Sequence, residues 1–311
     1  MDSAAVDRFE ASRGRLASLA YRLLGSATDA EDAVQDTFLR WQAADRERVE
    51  VPEAWLTKVA TRLCLDRLRS AQARHERAAG DWLPEPLLAG DPMLGPADTY
   101  VQRESVSLAV LVLMERLSPV ERAAYVLREA FSYPHAEIAR ILDITESASQ
   151  QHVHRARRRV AAERRGGEVD PASARRIVEE FLLAATSGRT DRLVEMLTAD
   201  ATAVSDGAGL LRRLLRYETR GRVASFVRAG FTPTPAKRRQ AGGPLAFHIA
   251  MVNGSPAALA VVDGKVVGAA AFEISDGRIA SLRGIAAPDR LTRLNDAWER
   301  REPDAPVIEA W

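Results

Sequence analysis

At 311 residues and 34.1 kDa the chain exceeds the roughly 100–200 residues usual for one domain, so two or three modules are expected. Apolar residues make up 46% and charged residues 28%, which excludes a largely disordered protein; Arg, Asp or Glu interrupts every apolar run before the roughly 18 residues a membrane helix needs. The net charge of +1, from 44 Lys and Arg against 43 Asp and Glu, excludes a uniformly basic or acidic chain but conceals segregation. Arg155, Arg157, Arg158, Arg159, Arg164 and Arg165 crowd one stretch, and Asp29, Glu31, Asp32 and Asp36 another, each set calling for an opposite-signed partner or a solvated face. Met1 to Glu10 has no basic segment followed by an apolar one, so no secretory signal and a cytoplasmic location are expected. The lone Cys64 fits a reducing compartment and reads as a small buried apolar residue.

From Val6 to Arg74 the periodicity is helical. Leu16, Leu19, Leu23 and Leu24 recur at steps of three and four, Gly25 ends that run, and Ser26 or Thr28 can cap the next, which carries Ala33, Val34, Phe38 and Trp41. Pro52 opens a third helix that places Trp55, Leu56, Val59, Leu63 and Leu68 on its apolar side. Residues 1–77 therefore read as one helical bundle. Residues 78–99 form a Pro-containing linker in which Trp82, Leu83, Leu87 and Leu88 are apolar enough to dock rather than float.

Helical periodicity returns over 100–165, where Ser118, Pro119 and Glu121 supply a capping residue, a first-turn proline and an acidic follower. Tyr133 to Leu142, Asp143 to Thr145, and Glu146 to Arg159 scan as helix, short turn, helix, with Ile138, Ala139, Leu142, Ile144, Ala148 and Val153 as the buried seam. The second helix, starting at Glu146 or Ser147, would enter a major groove end-on. Its early residues Ser149, Gln150, Gln151 and His154 are base-edge candidates, and Arg155, Arg157, Arg158 and Arg159 are phosphate candidates. A helical hairpin with a charged surface is the plainer alternative. Gly166-Gly167 breaks the pattern, Pro171 starts a helix through Ala185, and residues 168–311 turn to mixed α and β character. Short strands over 246–252, 257–262, 266–274 and 278–284 are punctuated by Asn253-Gly254, Asp263-Gly264 and Asp276-Gly277, predicting hairpins of a curved antiparallel sheet.

Two motifs in this order resemble the extracytoplasmic-function (ECF) sigma factors, the dissociable promoter-recognition subunits of bacterial RNA polymerase. Ala27 to Trp41 followed by Ala54 to Arg69 is similar to the family's second conserved region, and Leu117 to Arg128 with the helix-turn-helix is similar to its fourth. The family's frequent Gly-rich turn before the recognition helix is here Asp143 to Ser147. The resemblance implies promoter DNA and core RNA polymerase as partners, the latter through its β′ coiled coil and β flap. Asp29, Glu31, Asp32, Gln35 and Asp36 are then the surface for the β′ coiled coil. Arg62, Arg67, Arg69 and Arg74 on the third helix are phosphate contacts at the element where strands separate, and the loop Asp45 to Val51 stands where the family captures an unstacked base. Phe38 and Trp41 read mainly as core.

Beyond the helix-turn-helix, Ala172 to Ala185, the hairpin strands and Asp276 to Leu291 resemble a SnoaL-like domain, and Trp82 to Pro86 is similar to the linker of the sigma subgroup carrying one. That subgroup's glycine-rich loop corresponds to Ser205 to Gly209 and its Asn-Pro-Asp ending to Ala287 to Asp289, both altered here. The expected fold is multidomain: two all-α helical bundles, the second with a helix-turn-helix, followed by an α+β SnoaL-like cone-shaped domain. No catalysis, metal or cofactor is expected. Asp206, His248, Asp263 and Glu273 are the groups an enzymatic reading would need, and Asp263 and Glu273 read as surface residues. Regulation in cis by the third module, with the tail from Trp298 to Trp311 and a small ligand in its cone as further elements, is the expectation. A ligand-responsive helix-turn-helix regulator that never docks on polymerase is the alternative.

Overall fold

A computed structural model describes residues 3–73, 82–95, 104–163, 169–209, 213–232 and 234–309. The chain divides into two compact units: residues 1–85 with 90–163, and residues 86–89 with 164–311. The boundary therefore passes inside the expected linker, between Glu85 and Pro86, and the chain returns to the first unit at Gly90.

The first unit is helical. Helices α1 (Ser3–Leu24), α2 (Ala27–Ala43) and α3 (Pro52–Ala73) pack together around Phe9, Leu16, Val34, Trp41 and Leu56. Gly25, at φ +65°, ends α1 in the left-handed conformation that only glycine adopts cheaply, and a Cβ there would lie 2.6 Å from the Trp82 ring. Ser26 caps α2 by accepting from the Asp29 amide. Its hydroxyl in turn donates to the Glu85 carboxylate at 2.7 Å, so the end of the Trp82–Glu85 segment is fixed to the α1–α2 corner. Leu83, Leu87 and Leu88 are all buried. Cys64 is wholly buried, and desolvation pushes its thiol up to about 12, consistent with an inert packing residue.

Helices α4 (Leu108–Met114), α5 (Pro119–Glu129), α6 (His135–Leu142) and α7 (Glu146–Glu163) complete this unit. The Ser118–Glu121 capping box is formed in full at the start of α5. Arg22 of α1 joins the two halves from inside. Its guanidinium donates to the Leu94 carbonyl at 2.8 Å, to the Ser18 carbonyl at 3.2 Å and to the Ser105 hydroxyl at 3.0 Å, and it lies 5.5 Å from the Phe131 ring centroid. Burial holds its pKa at about 10, low for arginine yet still a cation at neutral pH.

The second unit begins with α8 (Pro171–Thr186) and α9 (Thr190–Met196), followed by strands β1 (Leu197–Ser205) and β2 (Leu215–Glu218), and helices α10 (Arg220–Phe231) and α11 (Pro235–Ala241). Strands β3 (Ala246–Val252), β4 (Ser255–Val262), β5 (Lys265–Ser275) and β6 (Arg278–Ile285) follow, and α12 (Pro288–Glu299) closes the unit. The sheet runs β2-β1-β6-β5-β4-β3, antiparallel except for the parallel β1–β6 pair. All three expected hairpins form, with both turn residues at positive φ in each of Asn253-Gly254, Asp263-Gly264 and Asp276-Gly277. Val178, Phe181 and Leu182 of α8 and Val223 and Val227 of α10 fill one face of the sheet against Ile249, Phe272 and Leu282. The Phe181–Phe272 edge contact, 5.7 Å between centroids, sits at its centre. Helix α12 lies on β5, where Asn295 pairs with both main-chain groups of Val266 at 2.7 and 3.0 Å.

The outer edge of β3 is covered by two short pieces of chain. Leu88 bridges Val252, and Ile308 bridges Phe247. The Asn253 side chain accepts from the Leu87 amide at 2.8 Å, the Asn253 amide donates to the Leu87 carbonyl at 2.9 Å, and the Ala89 amide donates to Met251 at 2.9 Å. An exposed strand edge is a template for unwanted pairing, and these segments remove it. The end of the expected tail, Trp311, lies outside the described residues.

Replacing Arg22 with methionine, which keeps volume but removes the donors, is expected to lower the stability of the first unit by about 1–3 kcal/mol, because buried acceptors such as the Leu94 carbonyl lose their partner. Urea denaturation followed by circular dichroism measures it.

Candidate polymerase and nucleic-acid interface

Helix α2 is two-sided. Ala30, Ala33, Val34, Thr37 and Trp41 are buried, which leaves Glu31, Asp32 and Gln35 exposed and Asp29 and Asp36 half-exposed. Trp41 uses its indole N–H on the Ala5 carbonyl at 2.9 Å, so it belongs to the core, as does most of Phe38, which tilts against Phe9 at 4.8 Å. The acidic group is not electrically isolated. Arg67 of α3 donates to Asp36 at 2.7 Å and lies 3.8 Å from Asp32, so one expected phosphate contact is joined to the acidic face instead.

Along α3, Arg69 pairs with Asp66 one turn away, and Arg74 lies outside the described residues. Arg62 and Lys58 both reach the carboxylate of Asp143, Lys58 at 3.0 Å. Desolvation, then the neighbouring Arg62, lowers the Lys58 pKa. Asp143 is the turn residue of the helix-turn-helix. It sits at φ +54°, where glycine would be easiest, and aspartate tolerates this region better than most side chains. Val51, more than half exposed at the end of the 45–51 loop, opens with Trp55, Lys58, Tyr133 and Arg140 onto a cleft of about 330 Å³ between α3 and α6.

Thr145 caps the second helix of the motif by accepting from Ala148 at 3.1 Å, which fixes the start of α7 at Glu146. Gln150, Gln151 and His154 are not buried like their neighbour Val153; Gln150, Gln151 and His154 all face solvent in the early turns. Ser149 is not a base-edge candidate: it is fully buried, its hydroxyl 3.0 Å from Nδ1 of His135, and it faces the first helix of the motif because it falls on the apolar seam with Val153 and Ala156. Among the arginines, Arg155 and Arg159 converge on Glu121 at 3.0 and 2.9 Å, Arg157 pairs with Glu129, and Arg158 is exposed without an ion pair among the described residues. Arg164 and Arg165 lie outside the described residues. Nothing in the sequence beyond its capping position marks Glu121 as this hub. A second buried pair, Arg122 with Glu115 at 2.6 Å, braces α5 from below.

Two matches decide the family. Residues 8–74 fit the Sigma-70 region 2 model and residues 107–160 the Sigma-70 region 4 model. The chain is 38% identical over 301 residues to the ECF RNA polymerase sigma factor SigJ of Mycobacterium tuberculosis, covering 92% of this chain and 93% of the relative. It belongs to the ECF sigma factors. It is also 32% identical over 294 residues to the probable ECF sigma factor SigI of the same organism, covering 92% and 94% of the two chains. The crystal structure of SigJ superposes with a TM-score of 0.69 at 33% identity over 93% of this chain and 98% of that one. An ECF sigma factor with helical regions 2 and 4 and a SnoaL-like third module is therefore the architecture, and a regulator lacking a polymerase-docking module is not favoured.

In that third module the groups an enzyme would need are engaged elsewhere. Asp206 accepts from the amides of Ala208, Ala286 and Ala287, all at 3.0 Å, tying the Ser205–Gly209 loop to the start of α12. The His248 Nδ1 lies 2.9 Å from the Asp304 carbonyl oxygen, and its ring meets Trp298 edge-on. Asp263 forms a hairpin turn, and Glu273 pairs with Arg283 at 2.9 Å on the strand face opposite Phe272. Among the described residues no His, Cys, Asp and Glu cluster could hold a metal, and no helix is long and apolar enough to cross a membrane.

Burial raises the Glu121 pKa, but the Ser118 amide and hydroxyl, with Arg159 and Arg155, outweigh it and hold the carboxyl below its ordinary 4.5. A carboxylate depressed in the folded state stabilises above its unfolded pKa and ceases to do so as pH falls through the folded value. Glu121→Gln is therefore expected to destabilise the α5–α7 part by about 1–3 kcal/mol at neutral pH. The difference from wild type should vanish in denaturation curves recorded at a pH well below that folded value.

Proposed function

We propose that the chain is a promoter-specificity subunit that docks on core RNA polymerase through α2 and reads duplex DNA through α7. The observation that carries this reading is the pairing, in one chain and in this order, of a region 2 with an exposed acid-rich α2 face and a region 4 whose Gln150, Gln151, His154 and Arg158 are open to solvent. Glu31, Asp32 and Gln35 are the contacts for the polymerase β′ coiled coil, and region 4 is the part that meets the β flap. Charged rims of this type mainly steer and orient association. Gln150 and Gln151 suit bidentate pairing with adenine, and Arg158 a phosphate. Sigma factors have no reaction of their own, and Asp206 and His248 serve here as braces.

Lys58 and Arg62 are the α3 cations for promoter phosphates, and both are paired with the Asp143 carboxylate, which a phosphate would replace. Regions 2 and 4 must part for these cations to reach DNA. The pairs with Asp143 are roughly half-exposed, and exposed pairs contribute about 0–1 kcal/mol, so parting is opposed mainly by the buried bonds of Arg22 and by the Tyr133–Thr57 bond.

Regulation in cis follows from the chain path. The link between regions 2 and 4 is held at residues 86–89 as an added strand on β3, with Asn253 as its latch, so the third module controls the slack available to regions 2 and 4. A short tether keeps such a contact at an effective concentration near millimolar, enough for a weak strand pairing to dominate.

Reconstitution with core polymerase tests the whole reading. Promoter-specific initiation is expected, with Asp32→Ala combined with Gln35→Ala weakening association with the core and Gln151→Ala costing roughly tenfold in discrimination between promoter and scrambled duplex. A chain that never joins the core enzyme overturns it. For the latch, Asn253→Ala is expected to accelerate hydrogen exchange at the Leu87 and Ala89 amides by at least about tenfold and to change promoter output, whereas unchanged exchange removes Asn253 from that role.

A further inference from the structure

Between Leu211 and Gln240 the sequence carries nine Lys and Arg against one acidic residue, Glu218, although acidic residues outnumber basic ones over the rest of the chain. Seven of these cations are described and exposed: Arg213 before β2, Arg216 on β2, Arg220, Arg222 and Arg228 on α10, and Arg238 and Arg239 on α11. None has an ion pair among the described residues. Several arginines elsewhere are paired, as where Arg155 and Arg159 share Glu121, Arg175 meets Asp304 and Arg192 meets Glu180; what marks this stretch is that seven cations unpaired among the described residues fall so close together in the chain.

The three elements form one built corner rather than a loose run of charge. Tyr217 of β2 stacks on Phe226 of α10 at 4.3 Å with the rings 19° from parallel. Lys237 reaches back from α11 to the last carbonyls of α10, at 3.0 Å from both Gly230 and Thr232, so this lysine serves as a helix cap while its arginine neighbours stay in solvent. Keeping seven like charges on these adjoining elements with Glu218 as their single counter-charge in the stretch disfavours the folded unit, and a partner carrying regularly spaced negative charge removes that repulsion.

The chemistry selects the partner. Eight of the nine cations are arginine, whose planar fork matches a phosphate bidentately. Tyr217 and Phe226 stack on each other and are half-buried, so no open aromatic platform is offered for unstacked bases. Leu183 on α8 is the one large exposed hydrophobic residue among those described in this unit, which leaves a bilayer without an apolar anchor. We infer that the β2–α10–α11 corner binds the sugar-phosphate backbone of duplex DNA, giving this sigma factor a third DNA contact that is indifferent to sequence. The inference rests on the proposed promoter-binding role and extends it to the SnoaL-like module.

The test uses the full-length chain carrying Arg220→Gln, Arg222→Gln, Arg238→Gln and Arg239→Gln together, with circular dichroism to confirm folding, and fluorescence anisotropy on promoter and scrambled duplexes across a potassium chloride series. Each phosphate no longer neutralised lowers the slope of log affinity against log salt by about 0.9. A slope reduced by about 2–4 and an affinity down at least about tenfold on both duplexes, with promoter-to-scrambled preference retained, supports the inference. Unchanged slope and affinity overturn it. So does a result in which the four arginines prove necessary for binding polyglutamate or phosphatidylglycerol vesicles but not DNA. A parallel Gln151→Ala chain separates the two ideas: reduced discrimination there with no effect of the four substitutions leaves the α7 reading standing and removes only the corner.

Discussion

Arg22 is the group on which the helical unit depends. A lone buried cation is costly unless its donors are used, and here a single guanidinium reaches the Ser18 and Leu94 carbonyls and the Ser105 hydroxyl beside the Phe131 ring. Those partners come from α1, from the segment before region 4 and from the entry to region 4 itself. Apolar packing alone could slide along helix ridges, whereas these directional bonds admit one registry between region 2 and the chain that follows. Tyr133 reinforces it by bonding Thr57 at 3.2 Å and lying 5.1 Å below Arg15.

Around that fixed registry the charges fall into two populations. Arg62, Arg67, Arg155 and Arg159, which the sequence offers as phosphate contacts, and Lys58 beside them are each joined to a carboxylate of the same unit. Glu121 and Asp143 are the carboxylates that gather most of these cations. Lys58 and Arg62 can give up the exposed Asp143 carboxylate at little cost, while Glu121, buried and fixed by its capping box, braces α5 against α7. Exposure therefore separates a contact suited to switching from one that is structural.

Much of this was legible in the sequence. The Asn-Gly and Asp-Gly dipeptides name hairpins because positive φ at two successive residues is a requirement few others meet, and the Ser118-Pro119-Val120-Glu121 box names a helix start to the residue. The helix-turn-helix was legible as a pattern, but a helical period does not say which of several adjacent polar residues faces inward, and Ser149 points at His135. Strand β1, with Asp200 among Ala and Thr, lacks the Val and Ile enrichment that marks a strand. It is held by pairing to β2 and to β6, the latter distant in sequence, so its own residues give little local signal. The division between Glu85 and Pro86 is likewise invisible locally, since it arises from the bond between Leu87 and Asn253, 166 residues apart.

The same long-range logic explains why the third module keeps a cone-type fold while its polar groups do structural tasks. Asp206 is a buried carboxylate satisfied by the amides of Ala286 and Ala287 at the α12 start, where the unpaired N–H groups of a helix terminus favour negative charge. That clamp fixes where α12 begins, and α12 brings Trp298 and the following tail to His248 and the Phe247 edge. The tail thereby covers the Phe247 end of the β3 edge, and residues 86–89 cover the Val252 end. A carboxylate used in this way is committed to holding the Ser205–Gly209 loop against the start of α12, so both loops are parts of the scaffold that sets the course of the tail towards the β3 edge.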